Sequence, residues 1–527
     1  MQKRTKVKAR NISCLDAYIW VALLLFLLAV VLSTYNLAYS PRPWFDEGWY
    51  LQIPKNLVLH GEYAPLSSEG FRVHDTIVGV SPLFYLPVAA VFKIWGVGLI
   101  QARAVIVVYF LVTCLLICAV GRKLYGPRAA VVAMALFILA QPDDTFTSAM
   151  LMGRQVMAEI PALCFLMAGV YAWLKAFDGH KNSFLILSGL FLGLAMKTKG
   201  QFLILVPSAF VALGVVDRLY YKERRYRHFV LPLATSAITL ALQYLLVLFI
   251  LGKETFATYL RGVAAASGPQ VCLFLNPQAM QTAFKVLLRT ELFVWVAAGL
   301  AYTALLALRK DREAIKQCFP WVFVAGWLTW FVFASVGWAR YLLPAFAVSY
   351  LFVGKFLDDL AQFSSESLKR AVLALREGEG ASLAKSIAVL LLVVLLLLNS
   401  SREVMKEIFR APDDNAYQMA AYIDTHIEEE AVIETWEWEI AFLTHGQTYH
   451  HPPTELLNVL IAHANLGMPY DPRGYKFQQY TPTYILVGLF AKWTGSYPAD
   501  FLDQHCTLVT SVGWYDLYEI NAHTAQP

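Results

Sequence analysis

Apolar runs without a single charged residue, such as positions 19–31 and 387–398, recur along this chain until about position 400. A bilayer core offers no water to backbone polar groups, so serial runs of this kind fold as helices that cross a membrane. Composition agrees: of 527 residues, 58% are hydrophobic and 15% charged, against about 25% charged in soluble domains. Mean hydropathy is +0.51. A soluble multidomain chain is thereby excluded. The net charge of +5 is small for the length. Lys and Arg cluster between apolar runs rather than on one face, so no nucleic-acid partner is expected. The seven cysteines show no CxxC or Cys/His spacing, which argues against a disulfide or zinc framework.

At about 20 apolar residues per crossing, or fewer where protein shields the ends, spans are predicted near 16–38, 101–121, 128–141, 158–176, 184–196, 201–216, 230–251, 290–308, 319–336, 341–357 and 385–400. The basic start followed by an apolar run to about Ala38, without a small-residue cleavage site before Pro41, reads as a retained first span. Two stretches decide the topology. Positions 81–96 are short and interrupted by Pro87 and Lys93, which suits either a span or a helix lying in the interface. Positions 184–216 form one long helix or a hairpin turning at Lys197-Thr198-Lys199-Gly200. An interfacial 81–96 and a hairpin together place about 23 Lys/Arg in roughly 80 residues of inner loops, against about 13 in roughly 125 residues outside. The fold class expected is therefore a polytopic α-helical membrane protein of about 11 transmembrane helices with its N-terminus inside. Residues 1–400 form the membrane domain, with a first outer loop at about 39–100. Residues 401–527 alternate helical and β-rich runs and are read as an outer, extracytoplasmic α/β domain, with strands near 431–436, 483–489 and 508–520.

Three outer regions carry unusual polar residues. In the first loop Asp46 and Glu47 lie among Trp44, Phe45, Trp49 and Tyr50. Aromatic surroundings partly desolvate a carboxylate and suit it to accept a proton near neutral pH. The plainer reading is a solvated acidic pair beside an aromatic belt. The stretch 141–161 carries Asp143, Asp144, Arg154 and Glu159. Here Glu159 is either a helix-start carboxylate or a site residue, and the two aspartates read as turn residues. The third region holds Lys197, Lys199, Arg340 and Tyr341. Each cation alone suits snorkelling to headgroups. Together with the carboxylates they suggest a site at the outer boundary that holds a lipid phosphate beside a base. His450 and His451, with Glu437 and Glu439, match no standard metal spacing and read as surface or loop residues.

Four stretches resemble the GT-C glycosyltransferases, in particular bacterial relatives of protein O-mannosyltransferases and of the lipid A aminoarabinose transferase. These are WFDEGWY at 44–50, GRQVMAEIPAL at 153–163, GLFLGLAMKTKG at 189–200 and ARYLLPAFA at 339–347. With SPLFYL at 81–86 and Gln101-Ala-Arg103, the ordered set covers roughly residues 15–360. No single stretch is specific; the order is. The resemblance implies a sugar donor on polyprenyl phosphate and transfer on the outer face of an inner (plasma) membrane to a glycan, lipid or protein hydroxyl, with inversion. It implies Asp46 as base, Glu47 in the acceptor pocket, Glu159 as second acidic residue, and Lys199, Arg340 and Tyr341 near the donor phosphate. Arg154 is counted with these phosphate contacts. Two departures stand out: Glu159 replaces the usual aspartate, and Val80-Ser81-Pro82-Leu83 lacks the lysine that precedes a Pro-Pro pair in the aminoarabinose branch.

The chemistry suits these parts. A hydroxyl attacks weakly, so a carboxylate must take its proton, and fixed cations stabilise the departing phosphate. No cofactor is required, while a divalent cation on Glu47 and Glu159 stays open. The rival class is a transporter or lipid flippase, which would place ionisable residues near the midplane of broken spans and show related halves.

Overall fold

A computed structural model of the chain describes residues 2–141, 148–179, 181–270, 275–309, 314–374, 391, 395, 398–399 and 401–521. Asp143 and Asp144 lie outside the described residues, as does the expected span at 385–400 apart from Leu391, Leu395, Leu398 and Asn399.

Among the described residues, six helices are long and apolar enough to cross a membrane: Leu99–Tyr125, Glu159–Gly179, Gly200–Tyr221, Arg227–Leu251, Ala314–Ala334 and Ala339–Leu360. A seventh arises if Pro277–Arg289 and Phe293–Ala307, bent by 89° at a short break, count as one. The expected number of 11 is larger because it admits shorter apolar helices, and Tyr18–Thr34, Pro127–Leu139 and Asn182–Thr198 are of that kind. At 1.5 Å per residue the 13 residues of Pro127–Leu139 extend about 20 Å. Glu159–Gly179 and Ala339–Leu360 sit innermost, with 78% and 83% of their apolar windows buried against 17% for Arg227–Leu251. Their N-terminal ends carry Glu159 and Arg340.

One of the two ambiguous stretches is resolved by backbone geometry, the hairpin at 184–216. Residues 182–216 are two helices, Asn182–Thr198 and Gly200–Val216, broken at an extended Lys199 with φ −143° and ψ 122°. Pro82–Trp95 is a 14-residue helix that buries Phe84, Tyr85, Val88 and Phe92 while exposing Leu83, Leu86, Ile94 and Trp95. Its length, about 21 Å, is short of a hydrocarbon core of about 30 Å.

Residues 432–520 form a mixed five-stranded sheet of order β4-β3-β5-β7-β6, with β3 Val432–Thr435, β4 Thr448–His450, β5 Tyr484–Val487, β6 Cys506–Val512 and β7 Tyr515–Ile520. A two-stranded hairpin in the first loop supplies β1 Leu66–Ser67 and β2 Gly70–Phe71. β3 pairs in parallel with β4 and β5, and the helices Trp438–Leu443 and Thr454–Leu466 lie in the crossovers that parallel pairing requires. The run 508–520, expected as one strand, is a hairpin turning at Gly513 and Trp514; the β-rich pattern continues across the turn and conceals it.

His450 and His451 are not surface residues. Both are buried at the end of β4. His450 Nδ1 meets the buried Glu434 carboxylate, whose other oxygen accepts from Tyr475 at 3.0 Å and Tyr497 at 3.1 Å. His451 stacks on Trp438 at 3.4 Å between ring centroids. Glu437 and Glu439 are buried as well. Glu437 accepts backbone N–H groups of Gly488 and Ala491 at 3.1 and 3.0 Å, and Glu439 accepts the Tyr515 hydroxyl at 3.0 Å. Burial pushes both carboxyls above their usual range, Glu439 further because the Glu437 charge adds to it. The folded state therefore keeps a proton that the unfolded chain releases, and stability falls as pH rises above the ordinary carboxylate range. Unfolding midpoints are expected to drop as pH rises from the ordinary carboxylate range, and Glu439→Gln to flatten that slope. An unchanged slope in Glu439→Gln would contradict this assignment.

The sheet region is docked onto the first loop. Gly48 lies so close to the helix Trp438–Leu443 that a Cβ there would come within 2.1 Å of the Glu439 backbone nitrogen. Lys55 donates to the carbonyls of Ala441 at 2.9 Å and Phe442 at 3.1 Å, and burial lowers its ammonium to about 8. Arg72 donates to the Pro452 carbonyl at 3.0 Å. Gly48→Ala is expected to cost at least about 1–3 kcal/mol by overpacking two backbones. Faster proteolysis within 401–415 would report the loosened contact; wild-type resistance would show that the helices separate without cost.

Candidate active site

Trp44 is extended, with φ −140° and ψ 152°, and the helix Phe45–Leu59 starts immediately after it. Asp46 and Glu47 thus sit in a first turn, where the helix dipole favours negative charge. Adjacent helical residues point about 100° apart, so the pair cannot serve one pocket. Asp46 faces a cavity and is held by Arg340, the two side chains being 17% and 20% exposed. Glu47 faces the bundle. Its oxygens accept from Arg103 Nε at 2.8 Å and Arg103 Nη2 at 2.6 Å, and one also accepts the Val156 N–H at 2.9 Å. The expectation that Glu47 lies in an acceptor pocket is corrected by this geometry: it is 1% exposed, both its oxygens are bonded within the protein, and it does not line the cavity.

Arg154 is corrected in the same way. It is fully buried, and its guanidinium donates to the carbonyls of Leu32, Tyr35 (2.6 Å) and Ser40 (3.0 and 2.8 Å), which close the C-terminal end of the first helix. It holds backbone rather than facing the cavity.

The remaining sequence candidates come together. Lys199, at the helix break, donates to Glu159 Oε1 at 2.6 Å, and its ammonium lies 5.9 Å from the Tyr341 ring centroid. Arg340 sits on the short 3₁₀ turn Ala339–Leu342, its guanidinium 4.7 Å from the Trp338 ring centroid and 5.8 Å from that of Tyr341. The Tyr341 carbonyl accepts the Trp327 indole N–H at 2.7 Å, which fixes the turn. Tyr50 joins the group. Burial above all, then the charges of Glu159 and Asp46, push its phenol well above the usual value, so it stays a neutral hydroxyl.

Asp46, Tyr50, Lys197, Lys199, Arg340 and Tyr341 border one cavity of about 640 Å³ with several aromatic rings, while Glu159 is buried and does not line it. The sheet region closes part of it through Leu457, Ile461, Phe490 and Trp493, and Phe490 stacks on Phe45 at 4.0 Å. Sequence reasoning missed Tyr244 and Tyr259 in the cavity wall, and the pairing of Arg103 with Glu47 beside it. Arg103 alone leaves a signal, a cation within an apolar run. Chemically, the arrangement offers a carboxylate able to accept a proton, cations able to hold an anion, and aromatic walls that exclude water and suit sugar faces.

The family model for dolichyl-phosphate-mannose-protein mannosyltransferase matches residues 80–248. An uncharacterized protein from Aquifex aeolicus (strain VF5) is 24% identical over 190 residues, 36% of each chain, so the match spans about a third of that relative. Among solved structures, ArnT from Cupriavidus metallidurans bound to undecaprenyl phosphate is similar over 98% of this chain and 99% of its own, with 13% identity and a TM-score of 0.61. The apo form of the same protein gives a TM-score of 0.62. Oligosaccharyltransferase AglB from Archaeoglobus fulgidus, in complex with an inhibitory peptide and a dolichol-phosphate, is similar over 97% of this chain and 75% of its own, with 12% identity and a TM-score of 0.60.

Proposed function

We propose that this chain, which shares the GT-C fold with those glycosyltransferases, moves a sugar from a polyprenyl-phosphate donor to an acceptor hydroxyl at the extracytoplasmic face of an inner membrane, with inversion. The single observation that carries the reading is the gathering of Asp46 and the cations Lys199 and Arg340, far apart in sequence, around one cavity. Asp46 takes the proton of the acceptor hydroxyl as its oxygen bonds to the anomeric carbon. The bond from that carbon to the donor phosphate breaks, and the electron pair leaves with the phosphate as a monoester. Lys199, Arg340 and the Tyr341 hydroxyl lie where that growing charge is stabilised. Arg340 also orients Asp46 through their ion pair. A lipid tail retained in the bilayer confines the phosphosugar to this boundary and makes the attack effectively intramolecular.

Similarity to a structure bound to undecaprenyl phosphate supports the donor class. The acceptor is a glycan, lipid or protein hydroxyl. Membranes containing the full chain, incubated with a panel of labelled polyprenyl-phosphate sugars, are expected to transfer label from one of them to an acceptor. Label that crosses the bilayer without changing its carrier would indicate lipid transport instead.

A further inference from the structure

Three cations border the cavity, and two are neutralised within the protein, Arg340 by Asp46 and Lys199 by Glu159. Lys197 is different. It is 7% exposed, lines the same cavity, and among the described residues forms no ion pair with a carboxylate. Its ammonium meets the Tyr259 hydroxyl at 3.4 Å and lies 3.9 Å from the Tyr244 ring centroid and 5.8 Å from that of Tyr259. Aromatic faces offset part of the cost of burying an ammonium but leave its charge in place. Such a group is costly to hold unless a ligand brings the opposite charge.

The surroundings of Lys197 indicate what that ligand is. Tyr259 rests on Gly79, where a Cβ would come within 1.6 Å of its hydroxyl, so the tyrosine and the lysine beside it are held against the turn Thr76–Gly79. Leu203, Ile204 and Val263 line the same cavity, and Leu203 and Ile204 are 40% and 36% exposed. An anionic head at Lys197 thus has an apolar way out for an attached hydrocarbon chain, which a free anion would not need.

We infer that Lys197, framed by Tyr244 and Tyr259, is the primary anchor of the donor's lipid-linked phosphate before reaction, while Arg340 and Lys199, already paired with Asp46 and Glu159, meet the charge that grows as the phosphate departs. This rests on the function proposed above.

The test uses the full chain in detergent and three probes: undecaprenyl phosphate, undecaprenol and inorganic phosphate. Wild type is expected to bind undecaprenyl phosphate at least about tenfold more tightly than undecaprenol, the size of a charge-assisted contact. Lys197→Met is expected to lose most of that preference and Lys197→Arg to keep it. In transfer assays Lys197→Met should raise the donor KM far more than it lowers kcat. Its thermal midpoint without ligand should not fall, since an uncompensated charge is removed; if it does fall and the protein aggregates, Lys197→Gln is read in its place. A Lys197→Met or Lys197→Gln protein that keeps the full preference overturns the anchor and leaves the donor reading intact. Inorganic phosphate competing as well as the lipid would overturn the lipid-linked ligand. Wild type with no preference for the phosphate would overturn the anchor and the donor reading together.

Discussion

Asp46→Asn is expected to slow glycosyl transfer by about 10²–10⁴-fold, the usual share of a general base. The substitution keeps the side chain's size, and the amide oxygen still accepts from Arg340, so the turn Ala339–Leu342 and the cavity should persist. What disappears is the capacity to take a proton from the acceptor. Initial rates at saturating donor, beside undecaprenyl phosphate binding in the same preparation, separate the two effects. Binding should change little while kcat collapses. A rate within a few-fold of wild type would remove Asp46 as base.

The second large effect lies in stability. Arg103→Met is expected to destabilise the chain by about 3–5 kcal/mol, because it leaves a buried carboxylate without its partner. Arg103 is fully buried, gives two hydrogen bonds to Glu47 and donates to the Leu37 carbonyl at 2.7 Å. It therefore ties the end of the first helix and the start of Phe45–Leu59 to Leu99–Tyr125. Adding Glu47→Gln should recover part of the loss, since no charge then remains unpaired. A midpoint shift equivalent to less than about 1 kcal/mol would show that water reaches Glu47 and that the pair is not structural.

The same pair shows why the site was only partly legible. Asp46 and Glu47 are neighbours in sequence and share an aromatic setting, so one pocket seemed to suit both. Once the segment is helical, the turn between residues sends one carboxylate to the cavity and the other into the bundle. Arg154 misled for a related reason: a cation near an acidic residue reads as a site component, whereas its geometry satisfies carbonyls at a helix end. The buried histidines at the end of β4 had the opposite fault. Their spacing matched no metal set, and nothing in the sequence marked Glu434 as the acceptor waiting across the sheet.

Hydropathy and the spacing of Gly, Pro and charge determined that this chain builds apolar helices as far as Leu360 and a mixed helix-and-strand region after position 401, because those properties act over one or two helical turns. The ordered motifs also named the residues worth watching. Which of them converge was decided by tertiary structure alone. Whether a cation meets a carboxylate, a carbonyl or nothing depends on neighbours dozens or hundreds of residues away: Arg340 finds Asp46, Lys199 finds Glu159, and Lys197 is left with two tyrosine rings. Electrostatic pairing is a property of distance in space, and a linear sequence does not carry that distance.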